Sequence, residues 1–218
     1  IRVMAGDSPP VPYTLADMAD DALAVLDAAG VSKAHIMGVS FGALIAQTTA
    51  IEHPERVASL ISISASTGDP TVGQPRPDVF AALLTPAGEG RDGYIQKTVD
   101  TVRLLGSPDH VEEDRVRALA GAAYDRDADR SGLPLQVLAA AASGDRTEAL
   151  RRLDVPTLVI HGDRDAMVDV SGGRHTAEVV AGAELVILEG MGHDLPTFYW
   201  PVVVEAVTKL AARAGNAG

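Results

Sequence analysis

Apolar and polar positions in the first third of the chain change their period twice. Across residues 14–29, Leu15, Met18, Ala19, Ala22, Leu23 and Leu26 share one helical face, while Asp17, Asp20, Asp21 and Asp27 mostly lie off it. Thr14 stands three residues before Asp17, as in a capping box with Asp in place of Glu, and Gly30 sits where the helix should stop. Residues 34–40 then form an apolar run of strand length. A second helix is predicted from Phe41 to about Glu52, closed by Pro54, and residues 57–63 form the next strand, with Ser59 and Ser62 interrupting it.

From residue 66 to about 150 the pattern loosens. Pro70, Pro75, Pro77, Pro86, Pro108 and Pro134 divide this stretch into short helical pieces, such as 79–84 and 94–105, with no alternating strand pattern. A mostly helical insertion serving as a cap over a pocket is expected there. Strand character returns at 155–160. A helix around 175–180, a strand at 185–188 and a final helix at about 200–214 follow, and Pro201 suits the first turn of the last.

That order predicts an α/β protein, a parallel sheet with helices on both faces. The strands are apolar almost throughout, as burial on both faces would require. Residues 1–65 and 151–218 are expected to form the core and 66–150 the cap. The opening residues 1–11 read as loop, since Gly6, Asp7, Ser8, Pro9 and Pro10 cluster turn formers.

Composition narrows the functional classes. A chain of 218 residues is one domain with room for an insertion, and it needs no covalent staple to bury a core. The absence of cysteine excludes disulfides, thiolate metal sites and cysteine nucleophiles. Eighteen basic against thirty acidic residues leave a net charge of −12, which opposes binding to nucleic acid or to an anionic membrane. No apolar stretch is long enough for a membrane span. A soluble, acidic globular protein remains, expected in the cytoplasm.

Candidate chemistry centres on Gly38-Val39-Ser40-Phe41-Gly42, where an apolar strand ends on a serine and a helix begins on the next residue. A serine on so sharp a turn lifts its hydroxyl above the sheet, and glycine at 38 and 42 would let strand and helix approach. The helix N-terminus directs free N–H groups at the same place, Phe41 N–H being the natural first oxyanion donor. A serine hydroxyl needs a base. Of six histidines, His35 is expected to pack or hydrogen-bond in the interior, and His53, His110 and His175 to lie on solvated faces. His161 ends a strand and is expected to be structural. His193 differs, because it lies in the glycine-rich loop Glu189-Gly190-Met191-Gly192-His193-Asp194, directly after the last strand. That loop would emerge at the carboxyl edge of the sheet beside Ser40. His161-Gly162-Asp163-Arg164-Asp165 reaches the same edge and offers the acid. Asp165, further into the loop, is expected to meet His193, with Asp163 accepting backbone N–H groups in the turn and Asp194 solvated or at a helix entry.

With those residues placed, the chain resembles the α/β-hydrolases, and within them the capped esterases of the aclacinomycin methylesterase type. The likeness runs through Tyr13-Thr14-Leu15, the turn at Ser40, His53-Pro54-Glu55-Arg56-Val57, residues 155–163 and residues 190–196, and is weakest in the insertion. It implies that Ser40, Asp165 and His193 are nucleophile, acid and base, that no cofactor or metal takes part, and that the partner is a small-molecule ester. It also implies further strands before the helix at Thr14, with a loop that supplies the second oxyanion donor. The chain is therefore expected to be a portion of a longer enzyme. Serine-based carbon–carbon bond hydrolases, perhydrolases and lactonases are alternatives on the same fold, as is a non-catalytic binding protein. An aspartate nucleophile is disfavoured by Ser40, and a dinucleotide site lacks its third glycine.

Overall fold

The computed structural model describes residues 10–79, 88–126 and 132–215. Most of the expected opening loop and most of the helical piece expected at 79–84 lie outside the described residues. In chain order come α1 (Leu15–Ala28), β1 (Ala34–Val39), α2 (Phe41–Glu52), a 3₁₀ turn (Pro54–Arg56) and β2 (Val57–Ile63). Helices α3 (Gly90–Leu105), α4 (Glu113–Arg126), α5 (Gly132–Ser143) and α6 (Thr147–Arg151) follow before the sheet resumes. The chain continues with β3 (Thr157–Gly162), α7 (Val170–Val179), β4 (Glu184–Leu188), a 3₁₀ turn (Thr197–Tyr199) and α8 (Trp200–Gly215).

The four strands are parallel in the order β1-β2-β3-β4. One face of the sheet packs Ala46 and Ala50 of α2 with Val57, Leu60, Leu150, Leu153, Val179 and Val180. The other sets Ile61, Ile63, Leu158, Ile160 and Leu188 against Tyr199, Val203 and Leu210 around α8. Helix α2 is buried between α1 and the sheet, so its small residues Ala43, Ala46 and Ala50 replace an amphipathic stripe. Helix α1 starts on the expected capping box: Thr14 Oγ1 accepts the Asp17 N–H, and the Thr14 N–H donates to Asp17 Oδ2 at 2.7 Å.

Burial on both faces holds for β2 and β3, fails at the start of β4, where Glu184 and Leu185 are exposed, and fails for β1. There Met37 is 54% and Val39 40% exposed and His35 is exposed as well, because α8 packs on β2, β3 and the end of β4 rather than on β1. The His35 ring is exposed rather than packed, yet it does hydrogen-bond inward: its Nδ1 lies 2.8 Å from Oγ of the buried Ser59. Among the described residues no strand pairs with the outer edge of β1.

The segment between β2 and β3 is helical and returns to the sheet at two places. At its stem the buried Arg146 reaches the carbonyl oxygens of Ser66 (3.1 Å) and Gly144 (3.0 Å), and its N–H donates to Thr67 O at 2.9 Å. Burial lowers the Arg146 guanidinium to about 10, with Asp145 opposing, so it stays a cation at neutral pH. The second place is the end of α3, where Leu105 packs with Val79 and Ala166.

Candidate active site

Strand β1 stops at Val39 and α2 starts at Phe41, leaving Ser40 alone on the turn with φ 53° and ψ −120°. A non-glycine residue held there stores about 1–3 kcal/mol of strain, which the surrounding structure must offset. Two contacts hold the turn. The Ser40 N–H donates to Ile63 O at 2.8 Å, fixing it to β2. A Cβ on Gly38 would stand 2.1 Å from Gly42 O and 2.5 Å from Ala43 N, so only glycine lets the strand run under the helix start. Gly42 differs from expectation: nothing lies within 4 Å of where its Cβ would be, so it is the Gly42 carbonyl, not its missing side chain, that makes the close approach. The Ser40 side chain does not cap α2 and is left for another partner.

That partner is His193, whose Nε2 lies 2.7 Å from Ser40 Oγ across a separation of 153 residues. Its Nδ1 lies 2.8 Å from Asp165 Oδ2. A carboxylate can only accept, so Nδ1 carries the proton and Nε2 offers a lone pair to the serine O–H. Asp165 is buried, and its other oxygen accepts the N–H groups of Met167 (2.9 Å) and Val168 (2.8 Å). Burial opposes its charge, but hydrogen bonds from His161 and His193 and from the Val168 N–H outweigh it and hold the carboxyl at about 2. The group is thus a fixed anion at neutral pH, facing an imidazole. By helix geometry the Phe41 N–H, at the first position of α2, has no intrahelical partner.

Asp163 does not reach His193. Its Oδ1 accepts the Gly190 N–H at 2.7 Å, bracing the histidine loop rather than its own turn. Asp194 is neither solvated nor a helix entry: half-buried, it accepts hydrogen bonds from Ser107 N (3.0 Å) and Ser107 Oγ (2.6 Å). The remaining histidines lie apart, His53 against Asp20, His110 stacked on Phe198, and His175 beside Asp69.

His161 is closer to the chemistry than its position at a strand end suggests. Fully buried, it sets Nε2 2.8 Å from Val168 O and 3.5 Å from Asp165 Oδ2. Its Nδ1 has no hydrogen-bond partner among the described residues, and a Cβ on Gly173 would stand 2.4 Å from it. Nε2–H is therefore the donor, and the ring is wedged in one orientation against the acid. His161→Phe, which keeps the bulk and removes the donor, is expected to lower kcat by about 10-fold with KM little changed, since a hydrogen bond to a charged group is worth about 1.5–3 kcal/mol at better distances. Steady-state kinetics on a chromogenic ester checks this.

Comparison with known proteins identifies the family. A family profile described as the alpha/beta hydrolase fold matches residues 5–196. The chain is 33% identical to the rhodomycin D methylesterase DauP of Streptomyces sp. (strain C5), over 85% of this chain and 69% of that protein. It is 32% identical to a pimeloyl-[acyl-carrier protein] methyl ester esterase of Neisseria meningitidis serogroup B, over 86% of this chain and 71% of that one. Among solved structures, the esterase RhEst1 from Rhodococcus sp. ECU1013 superimposes with a TM-score of 0.69 at 27% identity, over 94% of this chain and 75% of that one. The chain belongs to the alpha/beta hydrolase fold family, and it is an enzyme, a hydrolase of the esterase kind.

Proposed function

We propose that this enzyme cleaves a carboxylic ester, a methyl ester of a larger acid, through an acyl-enzyme formed on Ser40. The observation that carries the reading is the continuous hydrogen-bonded chain from Ser40 Oγ through His193 to Asp165. In the first half-reaction Ser40 Oγ attacks the ester carbonyl while its proton passes to His193 Nε2. Asp165 stabilises the imidazolium and keeps its ring in place. The oxyanion develops beside the Phe41 N–H. His193 then gives the proton to the departing alkoxide, releasing the alcohol. In the second half-reaction water repeats the attack on the acyl carbon, its proton going to His193 and then back to Ser40 Oγ as the acid leaves. The methyl ester class is supported by the names of the two esterase relatives. Residues 66–150 form the cap in this reading, and the end of its α3 packs against the loops that carry the acid and the base.

Labelling tests the reading. A fluorophosphonate added to the purified enzyme is expected to form one adduct per chain, on the peptide that contains Ser40, and to abolish ester hydrolysis in proportion. Full hydrolysis with Ser40 unlabelled, or an adduct on another serine that tracks the loss of activity, would overturn it.

A further inference from the structure

The turn that ends α3, residues 104–107, touches the loops on both sides of the His193–Asp165 pair. On the base side the His193 N–H donates to Leu105 O at 2.7 Å, and the Gly192 N–H donates to Ser107 Oγ at 3.1 Å. Ser107 is fully buried, and its hydroxyl passes that bond on to Asp194 Oδ1 at 2.6 Å, while its N–H reaches the same carboxylate at 3.0 Å. Backbones meet here without side chains between them. A Cβ on Gly192 would stand 2.3 Å from Gly106 C, and one on Gly106 would stand 2.6 Å from Asp194 Oδ2. On the acid side Leu104 and Leu105 pack with Ala166 and Met167, next to Asp165. Both neighbours of His193, Gly192 and Asp194, are thus bonded to one buried serine of the helical insertion.

We infer that Asp194 and Ser107 are positioning residues: their hydrogen-bonded clasp makes the helical insertion part of the mount of His193, so that the base is aligned with Ser40 only while the end of α3 is docked. This rests on the proposed role of His193 as base. The physical reason is leverage. A loop residue with two glycines among its three predecessors has little stiffness of its own, and a displacement of about 1 Å at a reacting group can cost 10²-fold in rate. The clasp supplies the stiffness from outside the loop. It explains why a carboxylate directly beside the base is turned away from it and toward the insertion.

Three variants separate this from a bland packing role. Asp194→Ala and Ser107→Ala are each expected to lower kcat on the order of 10- to 100-fold with KM changed by less than about 3-fold. Asp194→Asn keeps an oxygen to accept the Ser107 hydroxyl and N–H, and is expected to recover kcat to within about 3-fold of the parent enzyme. The far-downfield proton resonance of His193 Nδ1–H, bonded to Asp165, should broaden or vanish in the two alanine variants and persist in Asp194→Asn. Parent-level kcat with an intact resonance in both alanine variants would overturn the inference, as would an Asn variant as impaired as the alanine one. Should Asp194→Ala fail to fold, Ser107→Ala decides alone, because it leaves the histidine loop's own sequence untouched. Ser40→Ala is run beside them: if that variant stays active, the proposed function fails on its own account, while the resonance still reports on the clasp.

Discussion

Ser40→Ala is expected to lower ester turnover on the order of 10⁶-fold, because in the proposed mechanism one oxygen is both the attacking atom and the atom that carries the acyl group. The change is small in every other respect. Ser40 makes no side-chain cap to α2, so alanine removes nothing from the helix, and the positive φ is no worse for alanine than for serine. The strand–helix turn is held by backbone, through Ile63 O and the glycine at 38, neither of which is altered. Circular dichroism and the thermal midpoint should therefore match the parent, while kcat on an activated ester such as p-nitrophenyl acetate collapses. Turnover within about 10-fold of the parent, with the fold intact, would remove Ser40 as the nucleophile, since truncating a reacting atom cannot cost so little.

Asp165→Asn is expected to cost about 10⁴-fold in kcat, and the geometry says how. The Asp165 oxygen nearer the backbone accepts two N–H groups, from Met167 and Val168, so an amide must place its own oxygen there. Its NH₂ then occupies the position 2.8 Å from His193 Nδ1, where it can only donate. The imidazole is forced to carry its proton on Nε2, facing Ser40, and can no longer take one. The substitution should also change how stability depends on pH. The carboxyl is held at about 2 in the folded chain, against an ordinary value near 4. A group lowered on folding contributes stability that is fully present above the unfolded value and is lost as pH falls through the folded one. The stability difference between parent and Asp165→Asn should thus be constant from neutral pH down to about 4 and shrink between about 4 and 2. Urea midpoints measured at a series of pH values check the sign; a difference that widens toward acid would contradict it.

The order of elements and the parallel sheet could be read from the chain, since apolar runs punctuated by glycine and proline change period where strands give way to helices. The convergence of Ser40, Asp165 and His193 could be read as well, because parallel strands deliver all their following loops to one edge. What escaped followed from contacts between distant segments. Helix α7 begins at Val170, not near His175, and Ser171-Gly172-Gly173 looks like loop chemistry. Those glycines are there for space: a Cβ at 172 would stand 2.9 Å from Ser66 Cβ, and one at 173 would meet His161. The part played by His161 was hidden for the same reason, since nothing local distinguishes a strand-end histidine that packs from one that braces an acid. The bonding of Asp194 is not legible in the sequence because its partner, Ser107, lies 87 residues away in the stretch with the weakest pattern. The open face of β1 was missed because an apolar strand does not announce how far the covering helix extends.

The bond between Ser40 and His193 spans 153 residues, with the whole helical insertion in between. During synthesis the serine's turn is laid down well before the histidine loop, so in the proposed mechanism its hydroxyl remains an ordinary alcohol until β4 and the loop behind it have left the ribosome. On that mechanism reactivity arrives late and all at once, and a chain stalled or truncated short of that loop is expected to leave the esters around it intact.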